Sequence, residues 1–109
     1  MPSDDQPFAL IYLDDEDRLI AGMAGLAFWG RAYLQMAWVE SSHRGKGLGR
    51  QMQEALDQQL ISMACTGIDT DTFSFQALSF YLACGYMEVG RTTGFKQAQT
   101  RYFLSKHYS

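Results

Sequence analysis

The apolar pattern of the chain changes period sharply across one short stretch, Arg44-Gly45-Lys46-Gly47-Leu48-Gly49. Before it, residues 32–39 alternate: Leu34, Met36 and Trp38 are set against Tyr33, Gln35, Ala37 and Val39. Bulk on both faces predicts a central strand. After it, Leu48, Met52, Ala55, Leu56, Leu60 and Met63 share one face of a helix with the usual period of roughly 3.6 residues. Gln51, Gln53, Asp57 and Gln58 are then expected to face outward. A strand feeding a helix through a glycine-dense turn asks for a mixed α/β fold.

The flanking segments complete that expectation. Residues 8–13 read as a short apolar strand, Asp14-Asp15-Glu16-Asp17 as a polar turn, and residues 19–28 as a second strand. Gly22 and Gly25 inside the second strand mark a bulge or a close approach. Trp29-Gly30-Arg31 is a tight turn into the central strand, so the first three strands form an antiparallel meander. Downstream, Gly67 is the stop signal of the first helix and residues 68–72 are extended. A second helix is expected over residues 75–84, with Ser74 as N-cap, Gly85 at its end, and Phe75, Leu78, Ser79 and Leu82 facing inward. Two strands, residues 86–91 and 101–106, joined by the Gly94-Phe95-Lys96 loop, finish the chain. The expected class is α/β (α+β): a mixed, mostly antiparallel central sheet with two main helices. One domain covers residues 1–109, with residues 1–7 as a flexible lead-in, and 109 residues leave room for one core.

Charge and cysteine usage narrow the function classes. A net charge of -3 argues against general nucleic-acid binding, which favours a strongly basic face. No apolar run approaches the roughly 18 residues of a membrane span. The start, Met1-Pro2-Ser3-Asp4-Asp5, lacks the basic and apolar regions of a signal peptide, so a soluble cytoplasmic protein is expected. Cys65 and Cys84 then read as reduced thiols, and neither their spacing nor His43 and His107 make a zinc pattern. No metal is expected. The charges are also unevenly placed. Asp4, Asp5, Asp14, Asp15, Glu16 and Asp17 precede the first basic residue, Arg18, whereas Arg44, Lys46 and Arg50 crowd together.

That basic crowd coincides with the glycine turn. Glycines at every second position let the backbone curl and keep side chains out of a ligand's way. The first amides of a helix have no internal partner and sit at the positive end of its dipole, an arrangement that captures phosphate. The turn is not a Walker loop, because no Gly-Lys-Ser/Thr follows, nor does it have the Gly-x-Gly-x-x-Gly spacing of dinucleotide sites. On the loop alone, an anion site and a flexible basic loop entering a helix both stand.

Two separated motifs then resemble one family. Arg44-Gly45-Lys46-Gly47-Leu48-Gly49 resembles the Gln/Arg-x-x-Gly-x-Gly/Ala motif of the GNAT superfamily of N-acetyltransferases, and Val39-Glu40-Ser41-Ser42-His43 is similar to its usual approach. Thr72-Phe73-Ser74-Phe75-Gln76-Ala77 and Phe80-Tyr81-Leu82-Ala83-Cys84-Gly85-Tyr86 resemble the second signature, a helix carrying tyrosine and ending in Gly-aromatic. The resemblance implies acetyl coenzyme A as co-substrate and an amine as acceptor, joined by direct attack. It implies that backbone groups of Trp38, Val39 and Glu40 pair with the pantetheine arm in a slot opened by a splayed strand. Amides of Arg44, Gly45, Lys46, Gly47, Leu48, Gly49 and Arg50 would hold the pyrophosphate, with Ser74 and Ala77 at further cofactor contacts. Tyr81 matches the tyrosine that protonates the departing sulfur, against a reading as a core tyrosine. Glu40 is the nearest carboxylate for a base acting through water, against a solvated acid at a strand end; His43 reads as packing.

The resemblance runs from about Phe8 onward, so the family's opening strand and two helices are expected to lack a counterpart in this sequence. A partner subunit supplying the missing wall, and hence a homodimer, is the expectation. Two other functions stay open: an acyl coenzyme A-binding, catalytically degenerate relative, and an interaction domain that dimerises through its sheet. The acidic first third favours a cationic acceptor such as a polyamine or aminoglycoside.

Overall fold

The computed structural model describes residues 5–74 and 76–109. Among them β1 is Gln6–Leu13, β2 Leu19–Phe28, β3 Arg31–Val39, α1 Leu48–Ser62, β4 Gly67–Phe73, α2 Leu78–Ala83, β5 Met87–Thr92 and β6 Arg101–His107. This is the expected order of strands and helices. The strands form one sheet in the order β1-β2-β3-β4-β6-β5, parallel between β3 and β4 and antiparallel elsewhere.

Local chemistry explains the meander. The acidic turn is organised by Asp14, whose Oδ1 accepts the amides of Glu16 at 2.8 Å and Arg18 at 2.9 Å. Trp29 and Gly30 both take left-handed backbone, φ 53 and 79, the two-residue hairpin whose twist matches that of its strands. Gly25 meets both expectations for a strand glycine. The β2–β3 register shifts beside it, leaving Gln35 as an unopposed bulge residue on β3. An added Cβ at Gly25 would lie 2.0 Å from the Tyr33 carbonyl oxygen.

Both helices pack on one face of the sheet. Phe8, Met23, Leu34, Ile68 and Leu104 from the strands meet Met52, Leu56 and Leu60 of α1 and the rings of Tyr81 and Tyr86. Most of the stabilising apolar burial is gathered there. The central strand is therefore covered on one side, not two: Met36 and Trp38 are 55% and 40% exposed.

Several expectations are corrected. Gln53 and Asp57 do not face outward but are buried, whereas Ala55 is exposed. The inward face of α1 is wider than its apolar stripe because Gln53 Nε2 donates to Asp57 Oδ1 at 2.9 Å and both find polar partners on other elements. The first helix is ended by Ala64 in left-handed backbone, φ 64, and Gly67 instead opens β4. The second helix is shorter than expected. It starts at Leu78 with Ala77 as an N-cap that makes no side-chain bond, and Ser74 Oγ turns away to Gln99 Oε1 at 3.0 Å. Ser79 and Leu82 are exposed and Tyr81 takes the inner position; Phe75 lies outside the described residues. Tyr86 precedes β5 rather than opening it. Of the lead-in, residues 1–4 lie outside the described residues, while Gln6 and Pro7 are already paired with Ala27 and Leu26. No helix among the described residues is long and apolar enough to cross a membrane.

Candidate functional site

Parallel pairing between β3 and β4 lasts for two residue pairs, Ala32 with Ile68 and Tyr33 with Asp69. Just beyond, the Thr70 hydroxyl donates to the Leu34 carbonyl at 3.0 Å, a side chain taking the place of a ladder amide. The Gln35 bulge then turns β3 aside, while β4 stays paired with β6 as far as Phe73 and Arg101. The sheet forks.

The direction of the peptide groups along the fork follows from β2. The Glu40 amide donates to the Ile20 carbonyl at 2.8 Å, so these residues form a hydrogen-bonded pair. Antiparallel ladders alternate, which makes Val39 with Ala21 and Ala37 with Met23 non-hydrogen-bonded pairs. The amides and carbonyls of Ala37 and Val39 therefore face the fork, and those of Trp38 and Glu40 face β2. This corrects the assignment of Trp38 and Glu40 as backbone partners of a ligand. The Val39 carbonyl is already engaged, accepting from Arg44 Nε at 2.9 Å.

The chain next makes a single helical turn, Ser41–His43, capped by Glu40. Glu40 Oε2 accepts from the Ser42 hydroxyl, from the Ser42 amide at 3.2 Å and from His43 Nδ1 at 3.0 Å. Those bonds, the Ser42 hydroxyl first and His43 next, hold the Glu40 carboxyl below its usual range. Gly45 and Gly47 then adopt φ 76 and 80. Gly47 is the N-cap of α1 and no side chain caps it. The first intrahelical bond runs from the Gln51 amide to the Gly47 carbonyl at 3.1 Å, so the amides of Leu48, Gly49 and Arg50 precede the ladder. Gly49 serves packing instead. An added Cβ there would lie 2.9 Å from the Phe80 ring, so its absence lets α2 approach the start of α1.

Fork and helix start open into one cleft of about 770 Å³. Met23 and Met52 form its floor; Ala37, Trp38 and Val39 line one side, and Ala77, Phe80 and Tyr81 the other. Of the expected site residues, Trp38, Val39, Arg44, Gly45, Gly47, Leu48, Gly49, Arg50, Ala77 and Tyr81 line it. Glu40, Lys46 and Ser74 do not. Glu40 is spent on its cap, and Ser74 is turned toward Gln99. His43 is on the wall, as are Gln76 and Ser79. The sequence held a usable sign for Phe80, since a helical glycine asks what approaches it.

Tyr81 is 7% exposed, its ring packed edge-on against Phe80 at 5.4 Å and Tyr86 at 5.2 Å. Burial pushes its hydroxyl above the usual tyrosine value, against an opposing hydrogen bond with Thr70. It keeps its proton through the neutral range. Behind it runs a buried network that sequence reading missed. Tyr86 donates to Gln53 Oε1 at 3.1 Å, Tyr108 to Asp57 Oδ1 at 2.6 Å, and Lys106 Nζ to Asp57 Oδ2 at 2.6 Å and to the Cys84 carbonyl at 2.7 Å. It fixes the end of α2 to α1 and β6, and so fixes where Tyr81 stands. Cys65 and Cys84 are free thiols, and no group of three metal-ligating side chains comes together among the described residues.

A model of the family described as Acetyltransferase (GNAT) matches residues 2–86. The blasticidin-S acetyltransferase of Streptomyces morookaense is 27% identical over 100 residues, covering 91% of this chain and 74% of that one. Among solved structures, an acetyltransferase from Bacillus cereus has a TM-score of 0.91 at 26% identity, over 96% of this chain and 75% of that one. A Bacillus anthracis protein in complex with acetyl coenzyme A has a TM-score of 0.83 at 20% identity, over 100% of this chain and 65% of that one.

Proposed function

The chain belongs to the acetyltransferase (GNAT) family and has its mixed fold of a sheet with two helices, and from that premise we propose that it transfers the acetyl group of acetyl coenzyme A to a primary amine of a small molecule or protein. One observation carries this reading. A single cleft runs from the peptide of Ala37 and the amide of Val39, on the edge of β3 beyond its pairing with β4, to the uncapped start of α1. An extended ligand arm rich in amides suits the first part, and a pyrophosphate suits the second.

Acetyl coenzyme A, when bound, supplies an activated acyl group as a thioester. The protein's part is to hold and polarise. Amides of Leu48, Gly49 and Arg50 bind the pyrophosphate at the positive end of α1, with the Arg50 side chain adding charge. Ala37 and the Val39 amide pair with the pantetheine arm, and an amide on this edge stabilises the oxyanion as the carbonyl is attacked. The attacking amine forms the new C–N bond as the C–S bond breaks, so no covalent nucleophile is needed. Tyr81, protonated at neutral pH, hydrogen-bonds the departing thiolate and gives it a proton. Any part that Glu40 plays in taking the amine's proton runs through His43, the member of that pair on the cleft wall.

A small amine as acceptor is supported by the name of the blasticidin-S relative, and a cationic one by the exposed carboxylates of the β1–β2 turn. Calorimetry with acetyl coenzyme A, coenzyme A and NAD tests the donor. Both coenzyme A species should bind at tens of micromolar or better, and NAD should not. Absence of coenzyme A binding defeats the proposal. Thiol release across a panel of amines tests the transfer, and tight binding with no release would leave a non-catalytic acyl coenzyme A-binding protein.

A further inference from the structure

The helix that carries Tyr81 cannot hold itself in place. α2 has six residues, where an isolated helix in water needs roughly 12–15. Its N-cap, Ala77, makes no side-chain bond, and no basic residue stands in its last turn to meet the negative end of its dipole. A cation nevertheless meets that end, and it comes from another strand. Lys106 of β6 donates from Nζ to the Cys84 carbonyl at 2.7 Å, and from the same nitrogen to Asp57 Oδ2 of α1 at 2.6 Å. Cys84 is the C-cap of α2, and its own amide donates to the Tyr81 carbonyl at 3.0 Å. The chain leaves room for this cap. Gly85 turns left-handed at φ 97 directly after the helix, and an added Cβ there would lie 3.3 Å from Lys106 Cε. The Lys106 and Asp57 side chains are 23% and 10% exposed, so little water competes for the pair.

We propose that Lys106 is a positioning residue for proton delivery to the departing sulfur: by capping α2 and clasping it to α1, it sets where the Tyr81 hydroxyl stands relative to the amides of Leu48, Gly49 and Arg50. This rests on the proposed acyl transfer with Tyr81 as the acid. Asp57 lies about two turns along α1 from those amides, so one ammonium joins the helix that holds the anion to the helix that carries the acid. A reacting group displaced by about 1 Å can cost about 100-fold in rate. The edge-on contacts of Tyr81 with Phe80 and Tyr86, at 5.4 and 5.2 Å, tolerate a slide of that size. The two bonds of Lys106 do not, because short charge-assisted hydrogen bonds weaken steeply with distance and angle. α1 itself is held by Met52, Leu56 and Leu60 in the core, so loss of the clasp moves the acid and leaves the anion site where it is.

Steady-state thiol release, with coenzyme A affinity from calorimetry and stability from urea unfolding, decides it. Lys106→Met should lower kcat about tenfold and leave coenzyme A affinity within about twofold. In a Tyr81→Phe background the same change should alter kcat by less than about twofold, because the hydroxyl it positions is gone. Adding Asp57→Asn to Lys106→Met removes the stranded carboxylate and should raise the urea midpoint. Its kcat should stay low, since the Cys84 carbonyl still lacks its cation; this double variant gives the reading where Lys106→Met alone fails to fold. Arg31→Leu, which breaks the 2.7 Å pair with Asp69 on the sheet face away from the helices, should lower the midpoint and leave kcat unchanged. Equal fold losses of kcat from Lys106→Met in the native and Tyr81→Phe backgrounds overturn the assignment. So does a kcat that recovers in step with the urea midpoint in the double variant, or one that Arg31→Leu lowers as much. A native enzyme indifferent to Lys106→Met sinks the assignment alone, whereas a native protein that releases no thiol with any amine brings down the transfer reading and the assignment together.

Discussion

Gly47 and Gly30 form a matched pair for testing the helix start as a phosphate site. Their backbones are alike, φ 80 and 79, and an added Cβ would meet nothing within 4 Å at either position. Alanine at either site therefore brings the same local cost, about 1–2 kcal/mol for holding left-handed backbone. A stiffer unfolded chain offsets about 0.4–1 kcal/mol of it. Each variant should lose about 1 kcal/mol of stability, a drop in Tm of about 4–8 °C. Gly30 sits in the β2–β3 turn, whereas Gly47 aims the amides of Leu48, Gly49 and Arg50. Loss of one charge-assisted hydrogen bond there is worth about 1.5–3 kcal/mol, or about 10- to 100-fold in coenzyme A affinity. Calorimetry should find coenzyme A weakened by Gly47→Ala and untouched by Gly30→Ala, with pantetheine, which has no pyrophosphate, bound equally by both. Equal weakening of coenzyme A by the two variants, or equal loss of pantetheine and coenzyme A in Gly47→Ala, would refute the argument.

Tyr81→Phe keeps the ring between Phe80 and Tyr86 and should lower kcat about 10²-fold at unchanged coenzyme A affinity; unaltered turnover removes the hydroxyl from the mechanism. Lys106→Met strands the buried Asp57 carboxylate. Breaking a buried pair costs about 3–5 kcal/mol, and because Asp57 keeps Gln53 and Tyr108 and Lys106 is partly exposed, a loss of about 2–3 kcal/mol is expected in urea unfolding. Adding Asp57→Asn should recover part of that loss, and strict additivity of the two changes would count against the network. For acid stability the sign follows from Asp69 and Asp71. Burial raises both carboxyls, but Arg31 with Ser105, and Arg101 with Tyr33, outweigh it and leave both lowered. Their contribution is complete above the ordinary carboxylate pKa of about 4 and drains away as pH falls through the lower folded values. Arg101→Leu should flatten this acid limb, and a urea midpoint that tracks the native one down to about pH 2 would acquit Asp71.

Legibility in the sequence followed the physics of each feature. The β3–α1 boundary was readable because alternation and helical spacing cannot coexist, and the glycine turn because Gly45 and Gly47 take backbone that other residues resist. The burial of Gln53 and Asp57 was not. A helical period tells which side chains share a face, and polar chemistry then points outward unless partners are known. Here those partners are Tyr86, Lys106 and Tyr108, thirty or more residues away. The start of α2 was misjudged for a related reason. Ser74 looks like a cap in one dimension, but Gln99 claims its hydroxyl and Gln76 Oε1 accepts the Phe73 amide at 3.0 Å instead. That Ala37, and not Trp38, presents its peptide to the cleft depends on the phase of β2–β3 pairing, which the Gln35 bulge sets.

The fork itself argues for the kind of ligand the cleft takes. A sheet that stops pairing in its middle leaves peptide groups that need partners, and a buried unpaired one costs about 1–3 kcal/mol. At the crotch the protein answers with side chains: Thr70 takes the Leu34 carbonyl, and farther out Arg44 takes that of Val39. Among the described residues no side-chain hydrogen bond reaches the peptide of Ala37 or the Val39 amide. Both stand where β3 has left β4, on a cleft lined by Val39 on one side and Tyr81 on the other. Water satisfies these groups when the cleft is empty. A ligand that displaces that water gains only if it brings its own amides and carbonyls at the spacing of a strand. An apolar chain would strand them. On the proposed reading, the same edge would discriminate by polarity along its length, suiting an arm of peptide-like character beside Ala37 and Val39 and an anion where the chain turns into α1.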